Sequence, residues 1–335
     1  MAVTSSVSTH ARRLRRTGFK NFVAMWGQWA KAFGAPAPGR STKEFMLNAR
    51  RIAQESGIQI PGFAFGPFPN TGVDPMKDNA DVHKAFAAWC GENNILLADW
   101  AGWFWHLVGP LGSDADAKAW LDEIKQHVAI MQIYLDSGVM LPGPAFRYDL
   151  IQGPGNAAEQ IKLAAPRVRE AAKIVAGAGG VLAQETEFAH ALHRPFDVLD
   201  FHEEVGLPVT MHGIMYDIAH GHNLGYWGVK APDDTQKFSD QTDLARLWGP
   251  RTVRLHFSGT APGETAAGAH MATAIHAVPT EELCHPVCDV LTQYHATDVA
   301  VLDNCMMEFD EQDGCLVRSL QIMSAAPNNY GVPKY

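Results

Sequence analysis

Eight short runs rich in β-branched, aromatic and other apolar residues recur along the chain, and they constrain its fold more than any other feature. They are NFVAMWG (21–27), IQIPGFAF (58–65), NILLADWA (94–101), VMLPGPAF (139–146), VLAQETEF (181–188), VTMHGIMYD (209–217), RTVRLHFSG (251–259) and DVAVLDNC (298–305). Helical patterns with start and stop signals lie between them. Ser41 or Thr42 opens STKEFMLNARRIAQES, with Glu44 just inside. Ser113 or Asp114 opens SDADAKAWLDEIKQHVAIMQIYLDSG, which stops at Gly138. NAAEQIKLAAPRVREAAKIVAGAGG ends on glycines and carries Pro166 as a candidate kink. Short strands alternating with longer helices predict an α/β chain, a single closed (β/α)8 barrel of parallel strands. The alternative, an open doubly wound sheet, normally carries a glycine-rich first turn, and no G-x-G-x-x-G occurs here.

Composition narrows the classes of function. With 335 residues, 47% of them apolar, the chain can bury one large core. We expect residues 1–16 to form a flexible basic tail around Arg12, Arg13, Arg15 and Arg16, and residues 17–335 to form the barrel domain. The stretch 221–245, with Tyr226, Trp227 and the polar PDDTQKFSDQTD, reads as a loop inserted over the barrel mouth. A formal net charge of −9 and a pI near 5.9 argue against a nucleic-acid binder, since phosphate contacts need clustered Lys and Arg. No run reaches the roughly 18 apolar residues of a membrane span. No apolar run follows the N-terminal arginines, as a signal peptide would require. The five cysteines are scattered and read as reduced thiols, so the expected location is the cytoplasm. Cys284 and Cys288 bracket His285 in CHPVC, but no second pair completes a zinc set, and they read as ordinary helix residues.

Four of the runs carry a metal-binding group near their C-terminal ends: Glu185, Asp217, His256 and Asp303. Alternate residues of a strand share a face. Glu185 therefore goes with Ala183 and Glu187, Asp217 with Met215, His256 with Arg254, and Asp303 with Val301. In (β/α)8 enzymes the C-terminal ends of the strands carry the active site. Four such tips gathered there place three carboxylates beside one imidazole. Buried together, these groups would repel one another unless a divalent cation neutralised them. Mixed oxygen and nitrogen donors suit Mn²⁺, the ion we expect, with Mg²⁺, Co²⁺ and Zn²⁺ as alternatives.

This order of tips resembles the xylose-isomerase-like TIM-barrel superfamily, which includes ketose 3-epimerases, hydroxypyruvate isomerase, inosose dehydratase and endonuclease-IV-like enzymes. The ketose epimerases read V-x-L-E on strand five, where this chain has VLAQE ending in Glu185. Their strand six ends in an Asp followed three residues later by a substrate-contacting His, matched by Asp217 and His220. Their strand seven ends in H-x-G or H-x-x-G, and here His256 is followed by Phe257, Ser258 and Gly259. The strand-eight position, usually Glu, holds Asp303. The resemblance covers roughly residues 135–310 in strand order, and only the strand tips in identity. Three departures stand out. Asp303 is one methylene short of the family's Glu, so Asn304 or Glu308 can take its place. The family's Arg after the strand-seven His is missing from SGTAPGETAAG. The family's second Glu after the strand-five ligand has only Glu187 as a counterpart.

The resemblance implies a divalent-metal-dependent sugar isomerase or epimerase. Its metal ligands would be Glu185, Asp217, His256 and Asp303. Glu185 and Asp303 would exchange a proton at the carbon beside the carbonyl of a sugar-like substrate, and His220 would orient a substrate hydroxyl. A metal-dependent lyase or dehydratase, including one that cleaves a carbon–glycoside bond, starts with the same proton loss and is the first alternative. An endonuclease-IV-like phosphodiesterase needs surplus ligands, for which His190, His193, His212, His222 and His270 are candidates. A non-catalytic ligand-binding barrel is the third. Parity turns His212 toward the helices and sets Arg254 one layer beneath His256, where it balances buried acids. Phe63, Phe65, Phe68, Trp100, Trp103, Phe104 and Trp105, with His106 after them, read either as core or as the aromatic wall of a sugar pocket. Phe146 and Arg147 end strand four, where they are candidate contacts for an anion or a hydroxyl. The expected partners are the substrate and further copies of the chain, with neither nucleic acid nor membrane.

Overall fold

The structure, a computed structural model, describes residues 20–24, 42–58, 60–65, 78–102, 109–151, 153, 155–186, 190–221, 241–259, 280–291, 294, 299–302 and 317–323. Eight parallel strands close into a barrel in sequence order, with β8 returning to β1. They are β1 (Lys20–Ala24), β2 (Gly62–Phe65), β3 (Leu96–Ala101), β4 (Ala145–Tyr148), β5 (Val181–Glu185), β6 (His212–Asp217), β7 (Thr252–Phe257) and β8 (Val299–Leu302). The described helices between them are α1 (Thr42–Glu55), α2 (Ala80–Glu92), α3 (Asp114–Asp136), α4 (Ala157–Gly177), α5 (Pro195–Val205), α6 (Gln241–Trp248) and α7 (Glu281–Leu291). All eight expected runs contain a strand. None of the described helices is long and apolar enough to cross a membrane.

Several boundaries differ from expectation: β2 starts only at Gly62, after Pro61, β5 ends at Glu185, and β6 starts only at His212. The fourth run was expected to be extended over 139–146, but β4 starts only at Ala145. Pro142 and Pro144 have no N–H to give a ladder, Gly143 turns at φ 71°, and Met140 makes only an isolated bridge to Leu97. The expected inserted loop 221–245 ends early, because residues 241–245 begin α6 and bury Leu244, Ala245 and Trp248. Its residues 222–240 lie outside the described residues, as do 1–19, Glu187, His222, His270, Asp303, Asn304 and Glu308.

The helices begin where local chemistry allows. Ser113 caps α3 in a reciprocal box with Asp116, and Asn156 does the same for α4 with Glu159, so each helix start satisfies otherwise orphaned N–H groups. α3 buries Ala117, Trp120, Ile124, His127, Met131 and Tyr134, spaced at three to four residues along one face. α4 runs through Pro166 and turns Ala164, Ala165, Val168, Ala171 and Val175 inward. Cys284 and Cys288 are buried residues of α7, as the helix reading of CHPVC expects.

Among the described residues, the aromatics of β2 and β3 pack as core. Phe63 meets Phe45 of α1 edge-on at 6.2 Å, and Phe65 stacks on Phe86 of α2 at 5.4 Å. Trp100 lies 5.6 Å from Phe65, and its Nε1 donates to His127 Nδ1 of α3 at 3.1 Å. Phe68, Trp103, Phe104, Trp105 and His106 lie outside the described residues.

Inside the barrel the chain leaves little room for large side chains. Ala145, Ala183, Met215 and Val253 make a small cluster apart from the main core. Gly213 shares the face of Met215, and a Cβ there would sit 2.4 Å from Val253 Cγ1 and 2.9 Å from the Arg251 carbonyl oxygen. An ion pair crosses this interior. Arg254 on β7 reaches Asp99 on β3 with Nε to Oδ1 at 2.5 Å. Asp99 Oδ1 also accepts from the Ala145 N–H at 2.9 Å, and Arg254 donates to the Gly143 carbonyl at 3.2 Å. Stranding either charge by removing its partner costs about 3–5 kcal/mol.

On the opposite face of the strands His212 is fully buried against the helices, as its parity requires. Its ring stacks on His202 of α5 at 4.1 Å, and its Nε2 is 2.8 Å from the Tyr148 hydroxyl. Burial, helped by Arg251, pushes His212 down to about 3, and burial likewise holds His202 well below its ordinary value. Above pH ~6.5 His212 is neutral folded or unfolded. As the pH falls toward 3 only the unfolded chain takes up the proton, so stability is lost at about 1.4 kcal/mol per pH unit. Between pH 7 and pH 5, His212→Asn should therefore lose about 2 kcal/mol less than the parent, read by urea unfolding of metal-stripped protein. Equal losses in the two proteins would show that His212 titrates alike folded and unfolded.

Candidate metal centre

The strand tips bring Glu185, Asp217 and His256 together. Glu185 and Asp217 are the last residues of β5 and β6, and His256 is the last but one of β7. Asp217 lies directly across from His256 in the ladder, and Glu185 lies across from Met215, which shares the face of Asp217. One ligand atom from each of the three lies within 4.8 Å of the others. His256 Nδ1 is 2.7 Å from Glu185 Oε1 and 4.0 Å from Asp217 Oδ2. The residues are 1%, 3% and 0% exposed for Glu185, Asp217 and His256.

Each carboxylate has one oxygen fastened by the protein and the other turned to the cluster. Arg147 Nε holds Glu185 Oε2 at 2.5 Å. On Asp217, Oδ1 accepts from the Ser258 hydroxyl at 2.7 Å and from the His220 backbone N–H at 2.8 Å. Ser258 Oγ in turn accepts from the Ala219 N–H at 3.0 Å, which fixes the direction of its own proton toward Asp217. Glu185 Oε1, Asp217 Oδ2 and His256 Nδ1 are thus left facing one another. A buried set of two carboxylate oxygens and one imidazole nitrogen fits a divalent ion of intermediate hardness.

The charges around this set are arranged to keep it anionic. Burial pushes the Glu185 carboxyl up, but Arg147, His256 and His220 together outweigh it and hold it well below the usual carboxylate range. Asp149, one residue beyond β4, backs the Arg147 guanidinium at 3.4 Å. His190 donates to the Glu185 backbone carbonyl, and burial holds its own pKa down against the pull of Asp149. His190 also lines a cleft of about 510 Å³ with Ile151, Asn156, Gln160, His193 and Arg194. Between the two histidines Leu192 sits at φ 53°, a left-handed conformation rare for a residue with a Cβ.

The sequence placed Glu185, Asp217 and His256 at this point, and His220 beside it in the turn that follows β6. Asp303 comes one residue after β8 and lies outside the described residues, with its alternatives Asn304 and Glu308. Arg147 was read as a candidate contact for an anion or a hydroxyl; in the structure it contacts Glu185. Ser258 and Asp149 were missed. Ser258 shares the face of His256, two residues before it, and that parity was the available signal.

Loss of a direct ligand and loss of an orienting partner should separate. His256→Ala should abolish tight binding of Mn²⁺ to metal-stripped protein, and Ser258→Ala should weaken it about tenfold. Calorimetric titration checks both, and an unchanged affinity in His256→Ala would remove His256 from the centre.

No family model matches the chain, and no curated protein matches it significantly. Solved structures do match its fold. The IolI protein, solved with a bound zinc atom, superposes with a TM-score of 0.66 at 10% identity, covering 93% of this chain and 99% of that one. D-psicose 3-epimerase in the presence of D-fructose gives 0.61 at 11% identity, covering 92% and 100%. The probable 3-DHS dehydratase AsbF of Bacillus anthracis gives 0.60 at 13% identity, covering 91% and 99%. With further ketose epimerases and xylose-isomerase-like proteins matching in the same way, the chain has the fold of the xylose-isomerase-like TIM barrels.

Proposed function

We propose that this protein is a divalent-metal-dependent enzyme of the isomerase or epimerase type, acting on a sugar-like keto-compound by moving a proton at the carbon beside the carbonyl. The observation that carries this reading is the convergence of buried Glu185, Asp217 and His256 on one point at the C-terminal mouth of the barrel. Fold alone does not choose a chemistry; the donor set and its surroundings do. A divalent ion, when bound, supplies Lewis acidity that stabilises negative charge developing on a substrate oxygen. The matched structures include one with zinc and one with magnesium; we retain Mn²⁺ as the proposed ion for this site.

The residues divide the remaining work. Asp217 and His256 serve as ligands, each fixed by its strand. Glu185, held ionised by Arg147 and its other charged neighbours, is suited to hold a cation. We assign proton exchange to Glu185 and to Asp303, the residue after β8 in sequence, and the orienting of a substrate hydroxyl to His220. A lyase or dehydratase begins with the same proton loss, and the dehydratase among the matched folds favours it as the second reading. The phosphodiesterase reading draws less support, because His212 faces the helices and, among the described residues, three groups cluster as ligands.

Solvent deuterium exchange tests the proposal without requiring the product to be known. Protein reconstituted with Mn²⁺ should incorporate deuterium into at least one of a panel of ketoses, keto-acids and oxidised glycosides, and removal of the ion should abolish it. A protein that binds metal yet exchanges no member of the panel would instead be a binding barrel. Within the same assay, Asp303→Ala should lose metal. Asp303→Glu should keep it but slow exchange on the order of a hundredfold, since a displaced acid of about 1 Å costs that much. If Glu308→Ala loses metal and Asp303→Ala retains it, Glu308 closes the site.

A further inference from the structure

We infer that Arg147 is a positioning residue that sets how tightly the centre holds its ion, by taking one oxygen of Glu185 out of the ligand set and by opposing the incoming cation. This rests on the metal-centre reading above. Arg147 lies across the β4–β5 ladder from Ala183, which shares the face of Glu185 two residues further on. Its side chain reaches along the barrel wall to Glu185 Oε2 at 2.5 Å and is itself only 6% exposed.

The two carboxylates of the centre are fastened by unlike groups. Asp217 is held by neutral donors, the Ser258 hydroxyl and the His220 N–H. These aim the carboxylate and leave its charge intact. Glu185 is held by a full positive charge, which aims it and also cancels part of what attracts a metal. In a site this buried, repulsion between a guanidinium and a dication is weakly screened. Loss of an ordinary orienting partner weakens metal binding; loss of this one should strengthen it. Keeping Oε2 engaged also prevents Glu185 from offering both oxygens, so the protein supplies fewer ligands and leaves a position for substrate, as catalytic sites do.

The experiment is a calorimetric titration of Mn²⁺ into metal-stripped wild type, Arg147→Met and Arg147→Lys, with thermal melting of each. Arg147→Met should bind about tenfold more tightly than wild type, and Arg147→Lys, which keeps the charge, should stay within about threefold of it. Equal or weaker binding by Arg147→Met overturns the inference, and is what a merely structural role would give. If Arg147→Met does not fold, Arg147→Met/Asp149→Asn removes the buried pair together; tighter binding there supports the inference and its absence overturns it. The two proposals fail separately. Tightening without deuterium exchange sinks the catalytic reading alone, and exchange without tightening sinks the role of Arg147 alone.

Discussion

Charge buried inside a closed barrel has to be balanced where it stands, because burial weakens the screening that bulk solvent gives. This chain places Asp99, Asp149, Glu185 and Asp217 in or at the mouth of its barrel, each 7% exposed or less, and among the described residues it sets Arg147 and Arg254 against them. Before His256 is counted, these named groups are short of two positive charges, which is the charge of one divalent ion. The lower pair, Asp99 with Arg254, is complete and ties β3 to β7 across the interior. The upper set is incomplete, and its surplus falls on the oxygens turned toward His256. The geometry at the mouth follows from this gradient: balance below, deficit above.

How much of this was legible depended on whether a residue's role was set by its own strand or by another. Glu185, Asp217 and His256 could be read because period-two alternation and position at a strand end fix where each points, whatever the neighbours are. His212 was read as facing the helices for the same reason. The bond from Arg147 to Glu185 could not be read, since it joins two strands whose register only the folded barrel defines. Ser258 was overlooked because a serine after a strand is usually a turn residue, although its shared parity with His256 was there to be read. The aromatic runs were ambiguous in the sequence because Phe65 and Trp100 lie near strand ends, where core and pocket meet; Phe86, His127 and Tyr134 drew them outward. The start of β4 was misplaced because an apolar stretch containing Pro142 and Pro144 is extended yet cannot donate to a ladder.

The same alternation has a consequence for how the molecule reaches its fold. On β4, Arg147 faces in and Tyr148 faces the helices; on β5, Gln184 bonds His202 of α5 while Glu185 faces in; on β6, Tyr216 meets Trp248 while Asp217 faces in. Every one of these strands carries an interior charge next to a group the outer layer needs. A slip of one residue in any of them would drive a carboxylate or a guanidinium into the helix layer and bring a tyrosine or a glutamine into a lumen sized for alanine and glycine. Misregistered barrels therefore fail on both surfaces at once. The charged centre, costly as it is to bury, acts as an error check on strand assembly.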